Sequence, residues 1–560
     1  MDREFNLIDE PWIRVIDNSL RITEVSIKEC LLNAHSYKVL YGEMQAQNTA
    51  VLRFLIAILY STFARVNAEN EEEEIDDIYT AMERWAGIWE LKRFPSEPVT
   101  EYLDRYHDRF WLIDKDRPFY QIHEAAKGTD FKASKLNAVI NKSNNENNTR
   151  IFTARSGIEM DRLTLPEAAR WLLFNNGFDD MAAKAKDKGD VAPGVGYLGK
   201  LGLIEAVGSN LFETLMLNLT FLKNGSEVWE PIKKEPGFCA VWELDKPRTE
   251  ERILIPQPSN LAALYTLQSR RNILEKEGSY VIGYKQLSGE KFPLENAFAE
   301  QMTLWGKVRK KDEEFYLPMT HDPSRQMWRE FSTIAAQEAS IHSPGILSWI
   351  CVLRKNDILN EDMVVRFRTV SINYDTKKNS LTDEFGDELD FSIKLLEDAG
   401  NIWQERICKE IHYCEKIARK VSRLAIDLEK ASGRLPSNSP GTKKNKMIKR
   451  ADEIDKQNAK EIFYARIDSV FRNWLYELDP EKHDEGYIEP LRKEVLRTAM
   501  RIGKEMVERA GPKAFCGRTI LEVFEDTQEK KFFSSPSAYN EFIRRVNSTY
   551  KEVKNSGFQS

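Results

Sequence analysis

The sequence predicts an α+β protein: a large mixed N-terminal globular domain over residues 1–388, then a C-terminal four-helix bundle over residues 389–560. Three observations carry that reading. After residue 389, apolar residues recur at helical spacing in four separate stretches. Before it, strand-like alternation and helix-like periodicity are interleaved. The chain of 560 residues, 41% hydrophobic and 31% charged, is long enough for more than one core.

In chain order, 7–15 and 20–27 read as short strands about a turn at Asp17-Asn18. Residues 49–66 read as an amphipathic helix. Its apolar run is interrupted by Arg53 and is too short to cross a bilayer. A second helix is predicted over 78–89, with Trp85 and Trp89 one turn apart. The polar stretch 132–150 holds six asparagines and reads as a disordered or binding loop. Thr164-Leu165-Pro166-Glu167 has the form of a capping box that opens a helix over 168–174, ended by Asn176-Gly177. Residues 213–222 read as helical. Residues 364–372 alternate at period two, as a strand with one wet face does.

The C-terminal stripes are narrower. Ile407, Ile411, Cys414, Ala418, Val421, Ala425 and Leu428 recur at steps of four and three. Phe463, Ile467, Val470, Trp474 and Leu478 nearly repeat that pattern, and 491–509 and 537–550 complete the set of four. Pro436, Pro440, Pro480, Pro490, Pro512 and Pro536 punctuate the connections.

Composition narrows the function class. Six scattered cysteines with no C-x-x-C pair suit a reducing, cytoplasmic protein without a disulfide framework or zinc site. No signal-peptide pattern follows Met1, and no membrane partner is expected. The seven histidines show no metal-ligand spacing, and no G-x-S-x-G elbow is present. No metal, cofactor or catalytic residue is therefore expected, and the chain reads as a binding protein. Net charge is −7, opposite to a simple nucleic-acid binder. Yet residues 401–450 carry thirteen Lys/Arg against five Asp/Glu. Lys443, Lys444, Lys446, Lys449 and Arg450 cluster there beside a linker at 432–442. Two readings fit: a patch that draws a polyanion to one face, or a solvated loop beside a helix.

One loop imitates two nucleotide-binding motifs. Gly194-Val195-Gly196-Tyr197-Leu198-Gly199 spells G-x-G-x-x-G, and through Lys200 it also spells G-x-x-x-x-G-K. As a P-loop it fails at Leu201, where a hydroxyl must meet Mg²⁺. As a dinucleotide fingerprint it lacks a preceding strand. Lys184, Lys186, Lys188 and Lys200 make the stretch basic. It reads either as an ordinary surface loop or as one whose bare backbone approaches a polyanion.

Several segments together resemble the CasA family, the large subunit of the type I-E CRISPR surveillance complex called Cascade. They are Phe5-Asn6-Leu7-Ile8-Asp9-Glu10-Pro11-Trp12-Ile13-Arg14-Val15, Arg117-Pro118-Phe119-Tyr120-Gln121, the 194–202 loop with Asn210-Leu211-Phe212-Glu213, and Tyr265-Thr266-Leu267-Gln268-Ser269-Arg270-Arg271. They occur in the family's order over nearly the whole chain. The resemblance implies a non-catalytic subunit that contacts the guide crRNA and reads the protospacer-adjacent motif in double-stranded target DNA. It also implies a role in opening the duplex beside that motif, contacts with the other Cascade subunits, and recruitment of the effector helicase-nuclease.

Carried over by position, the wedge falls on Lys377, Lys378 and Asn379, with Lys378 where the family often has glutamine. The glycine loop that approaches the minor groove maps to Gly189, Gly194, Gly196, Gly199 and Lys200. The guide-RNA contact maps to Ile151, Phe152 and Thr153, and Lys276 is the nearest counterpart of a minor-groove lysine. Within the bundle, Lys443, Lys444, Lys446, Lys449 and Arg450 are the DNA-contact candidates. Two other functions stay open: an NTP-binding enzyme using 194–200, and a helical adaptor that binds protein only.

Overall fold

The computed structural model describes residues 3–139, 155, 157–181, 194–245, 254–311, 313–335, 342–375, 380–396, 401–433, 444–523 and 528–556. They form two compact units. One comprises Met1–Pro323 and Thr333–Glu388, the other Ser324–Ser332 and Leu389–Ser560.

The N-terminal unit is built around the helix Gln45–Phe63. The helix is where the sequence places it, but it is not amphipathic: from Thr49 through Phe63 every residue is buried. A helix apolar all round must be covered all round. Here Leu165–Phe178, Leu261–Tyr265, Ser96–Arg105 and Leu211–Asn218 pack against it. The interrupting Arg53 is tolerated because Glu300 accepts two 2.8 Å hydrogen bonds from its guanidinium. The Tyr265 ring lies 3.8 Å from that same cation. The first turn has no local side-chain cap. Glu384 instead accepts from the Gln45 N–H at 3.1 Å and from the Ala46 N–H.

Small antiparallel sheets surround this helix. Ile13–Asp17 pairs with both Ile22–Val25 and Tyr37–Leu40. The predicted turn is present, closed by Asp17 Oδ1, which accepts from Ser19 N–H at 2.7 Å and Arg21 N–H at 2.9 Å. Residues 7–12 are not strand. Asn6 carbonyl accepts from the Asp9 and Glu10 N–H groups, which curls the chain ahead of Pro11. A second sheet joins Arg270–Glu277, Tyr280–Ser288 and Thr129–Lys132. The polar stretch expected as a loop from 132 therefore begins as strand, followed by the short helix Ala133–Leu136. A third sheet orders Ser380–Ser392, Val364–Asp375 and Leu203–Val207.

The capping box is realised in both directions. Thr164 N–H donates to Glu167 Oε2 at 2.9 Å, and Glu167 N–H donates to Thr164 Oγ1 at 3.4 Å. The helix it opens runs Leu165–Phe178, past the expected stop at Asn176-Gly177. Tertiary contacts hold those two residues helical. Asn176 Nδ2 donates to Leu267 carbonyl at 2.7 Å, and Gly177 admits the Leu198 side chain. The helix predicted over 213–222 is Leu211–Asn218, capped by Asn210, and the chain then turns into the strand Leu222–Lys223.

The C-terminal unit contains the four long helices Asn401–Ser432, Lys444–Tyr476, Ile488–Arg509 and Ser535–Ser556. The first packs on the other three, as a bundle requires. In the second, Val470 is half-buried, and Phe471 takes the core position. Phe471 stacks on Trp328 from the inserted segment, with ring centroids 4.2 Å apart. The sequence reading missed a hairpin, Arg518–Val523 with Gln528–Phe533, whose Ile520 and Phe533 pack with Ala431 and Ala514.

Candidate nucleic-acid interface

The glycine loop follows the helix Leu165–Phe178 and precedes the strand Leu203–Val207. A P-loop needs the opposite order, strand before and helix after. Leu198–Lys200 forms only a single tight turn. The chain order thus opposes a nucleotide site.

The loop is held by its own neighbours. Gly194 has φ +62°, a conformation open to glycine and strained for most side chains. Its carbonyl accepts from Arg270 Nη2 at 2.7 Å. Arg270 is 1% exposed and ion-paired with Asp179. Gly196 N–H donates to Asp179 carbonyl at 2.8 Å. Tyr197 N–H donates to Ser269 Oγ at 3.3 Å, and its hydroxyl donates to Glu300 at 3.0 Å. The loop therefore shares Glu300 with Arg53 of the buried helix.

Why glycines stand here is more specific than the sequence suggested. A Cβ on Gly196 would lie 2.3 Å from Gly177 carbonyl, and one on Gly199 would lie 2.3 Å from the Tyr374 hydroxyl. The surface these two approach is the protein's own. A Cβ on Gly194 would meet nothing within 4 Å among the described residues.

Lys200 gives the loop its charge. With Val195, Tyr197, Arg270, Lys291 and the carboxylate Glu290 it lines a small concavity. Burial, then the nearby positive charges of Arg270 and Lys291, pull the Lys200 ammonium down from 10.5 to about 8. A desolvated cation beside other cations gains from an incoming anion.

The structure brings this loop to the far end of the strand Val364–Asp375, where it approaches the turn toward Ser380–Ser392. Tyr374 lies near the end of Val364–Asp375, two residues before the segment that holds Lys377, Lys378 and Asn379. Its hydroxyl donates to Phe178 carbonyl at 2.8 Å, and its ring covers Gly199. Leu203–Val207, just after the loop, pairs with the same strand from Val370↔Leu203 to Arg366↔Val207. Lys377, Lys378 and Asn379 themselves lie outside the described residues, as do Gly189, Ile151, Phe152, Thr153 and Lys443.

Two other candidates are placed differently from the sequence expectation. Lys276 stands six residues along the strand from Arg270, about 20 Å away at strand spacing, so it does not join the loop. Its ammonium pairs with Glu4 at 2.6 Å. Lys444, Lys446, Lys449 and Arg450 occupy the opening turns of Lys444–Tyr476, so they sit on a helix and not beside one.

Sequence reasoning missed the parts played by Asp179, Tyr374 and Lys291. Arg270 stands within the landmark 265–271, where the sequence assigns it no role. No local signal links them, since their partners are distant in the chain. The landmark 117–121 proves to be packing. Phe119 and Tyr120 join Phe54, Phe110 and Trp242 in one aromatic cluster, and Gln121 donates to Leu112 carbonyl at 2.7 Å.

Among the described residues no group of three metal-ligating side chains converges, and no helix is long and apolar enough to cross a membrane. Fold and loop together define a class: a large α+β protein with a helical C-terminal unit and a cationic, internally anchored loop beside a long hairpin. Residues 6–505 match the family described as CRISPR-associated protein Cse1, and the chain belongs to that family. A curated relative, the CRISPR-associated protein CasA/Cse1 of Thermus thermophilus, is 27% identical over 346 residues, 60% of this chain. The match spans 61% of that relative's length. The crystal structure of Thermobifida fusca Cse1 superposes with a TM-score of 0.79 at 25% identity, covering 98% of each chain. That of Acidimicrobium ferrooxidans Cse1 gives 0.76 at 21% identity over 99% of each. A chain of a solved CRISPR RNA-guided surveillance complex shares the fold, with a TM-score of 0.68 at 16% identity, covering 98% of this chain and 99% of that one.

Proposed function

We propose that the chain is the non-catalytic large subunit of an RNA-guided CRISPR surveillance complex. In this reading it binds the guide crRNA and the other Cascade subunits, reads the protospacer-adjacent motif in duplex DNA, helps open that duplex, and recruits the effector helicase-nuclease. The observation that carries the DNA-reading role is the meeting of Gly194–Lys200 with the end of Val364–Asp375 through Tyr374 and Gly199. A motif reader must open the duplex next to the motif it reads, so reader and wedge must be adjacent. The bare Cα of Gly194 and the Lys200 charge suit a phosphate-lined minor groove, where readout is degenerate and a short motif suffices. Lys377, Lys378 and Asn379 then form the wedge. Unstacking one step costs a few kcal/mol, which insertion and backbone contacts offset. Guide pairing carries the sequence specificity.

The test is the triple alanine variant of Lys377, Lys378 and Asn379 in assembled complexes. Binding to an intact target duplex should fall sharply. Binding to a target already mismatched beside the motif should fall much less, because the unpairing cost has been removed. Equal losses on both targets would make these residues backbone contacts and refute the wedge. Complexes that never bind duplex would point to a protein-only adaptor.

A further inference from the structure

A cavity of about 580 Å³ opens in the N-terminal unit and shares no lining residue with the glycine-loop concavity. It lies between the end of Gln45–Phe63, the segment 64–75, the helix Ser96–Arg105 and the segment 221–232. Its wall is aromatic. Tyr60 packs against Phe221 and Trp229, with ring centroids 6.2 and 6.5 Å apart.

Its rim is acidic, and the balance of charge is uneven. Glu73 is answered by Arg84 at 2.6 Å and Glu101 by Arg105 at 3.1 Å. Arg65, in the wall, is spent on the buried Glu243. Glu72, Glu74 and Glu230 line the cavity, are exposed, and have no ion-pair partner among the described residues. Within the wall, Ser61 is fully buried beside Tyr102, whose hydroxyl donates to Glu243 and accepts from Trp242.

We propose that this cavity receives an arginine- or lysine-bearing segment of a partner protein. The three unanswered carboxylates attract a cation and repel nucleic acid. The aromatic wall accepts a cationic head over a ring face and the methylene stem along it. The volume falls within the range of about 300–1,000 Å³ typical of ligand pockets. The inference is independent of DNA reading, and its test contains no nucleic acid.

The probe is a fluorescein-labelled peptide, Gly-Arg-Leu-Arg-Gly, titrated with the full chain and followed by anisotropy. Saturable binding that weakens as salt rises is expected. The same peptide with glutamate for arginine should not bind. The Glu72→Gln/Glu74→Gln/Glu230→Gln variant changes only exposed positions and should melt as the parent does. It should lose about fivefold in affinity, the sum of two modest ion pairs. No saturable binding, equal binding by the triple variant, or equal binding of the acidic peptide would overturn the proposal. So would displacement by spermidine at the peptide's own concentration, which would mark a site for any polycation.

Discussion

In the proposed reading Lys200 is a phosphate contact, and its own chemistry makes that role testable by pH. Its ammonium is pulled down to about 8, chiefly by burial and then by Arg270 and Lys291. In the free protein, the charged fraction falls from about nine tenths at pH 7 to about one tenth at pH 9. A bound phosphate stabilises the charged form and raises its pKa again, so the complex stays protonated through this window. Apparent affinity then follows the charged fraction of the free state, and target binding should weaken about tenfold from pH 7 to pH 9, or about 1.4 kcal/mol. The sign for folding is opposite. Between pH 8 and its ordinary 10.5, Lys200 holds fewer protons folded than unfolded. Stability therefore rises through that window, as the buried charge is relieved. The assay is fluorescence anisotropy of a labelled target duplex with assembled complexes, at constant ionic strength. Lys200→Arg keeps its charge across the range and should bind with little pH dependence. If parent and Lys200→Arg show the same pH profile, the titrating group lies elsewhere and Lys200 is not a phosphate contact.

Three further outcomes test the fold and the interface, and a fourth tests the bundle. Gly194→Asp and Gly194→Asn have the same shape and both tolerate the left-handed backbone, so the aspartate should bind target DNA more weakly than the asparagine; equal affinity would remove Gly194 from the phosphate path. Gly196→Ala, by contrast, drives a Cβ against Gly177 carbonyl and should destabilise the N-terminal unit by about 1–3 kcal/mol, read as a lowered melting temperature. Arg53→Met leaves Glu300 buried without its cation and should cost about 3–5 kcal/mol, most of it recovered when Glu300→Gln is added; no recovery would mean the helix is lost for packing and not for charge. Neutralising Lys443, Lys444, Lys446, Lys449 and Arg450 should weaken duplex binding regardless of motif and flatten its salt dependence, whereas an unchanged slope would leave the cluster solvated.

What the sequence alone determined was local. Thr164 and Glu167 announce a helix start because both arms of a capping box lie within one turn. The stripe from Ile407 to Leu428 announces a bundle helix because its period is a property of the chain itself. Leu201 and the missing strand argued against a P-loop by the same kind of adjacency. The candidate loop was legible as glycine and charge. The reason for its glycines was not, because Gly196 meets Gly177 and Gly199 meets Tyr374 only in three dimensions. The tertiary structure decided everything that joins distant residues. Glu384 caps a helix that begins at Gln45, Glu300 makes Arg53 acceptable inside that helix, and Arg270 fixes the carbonyl of Gly194. It also carried the helix from Leu165 through Asn176-Gly177, where local turn chemistry predicted a stop. The physical reason is that capping and periodicity act within a turn or two. Burial, ion pairing and close backbone approach depend on partners that sequence spacing does not name.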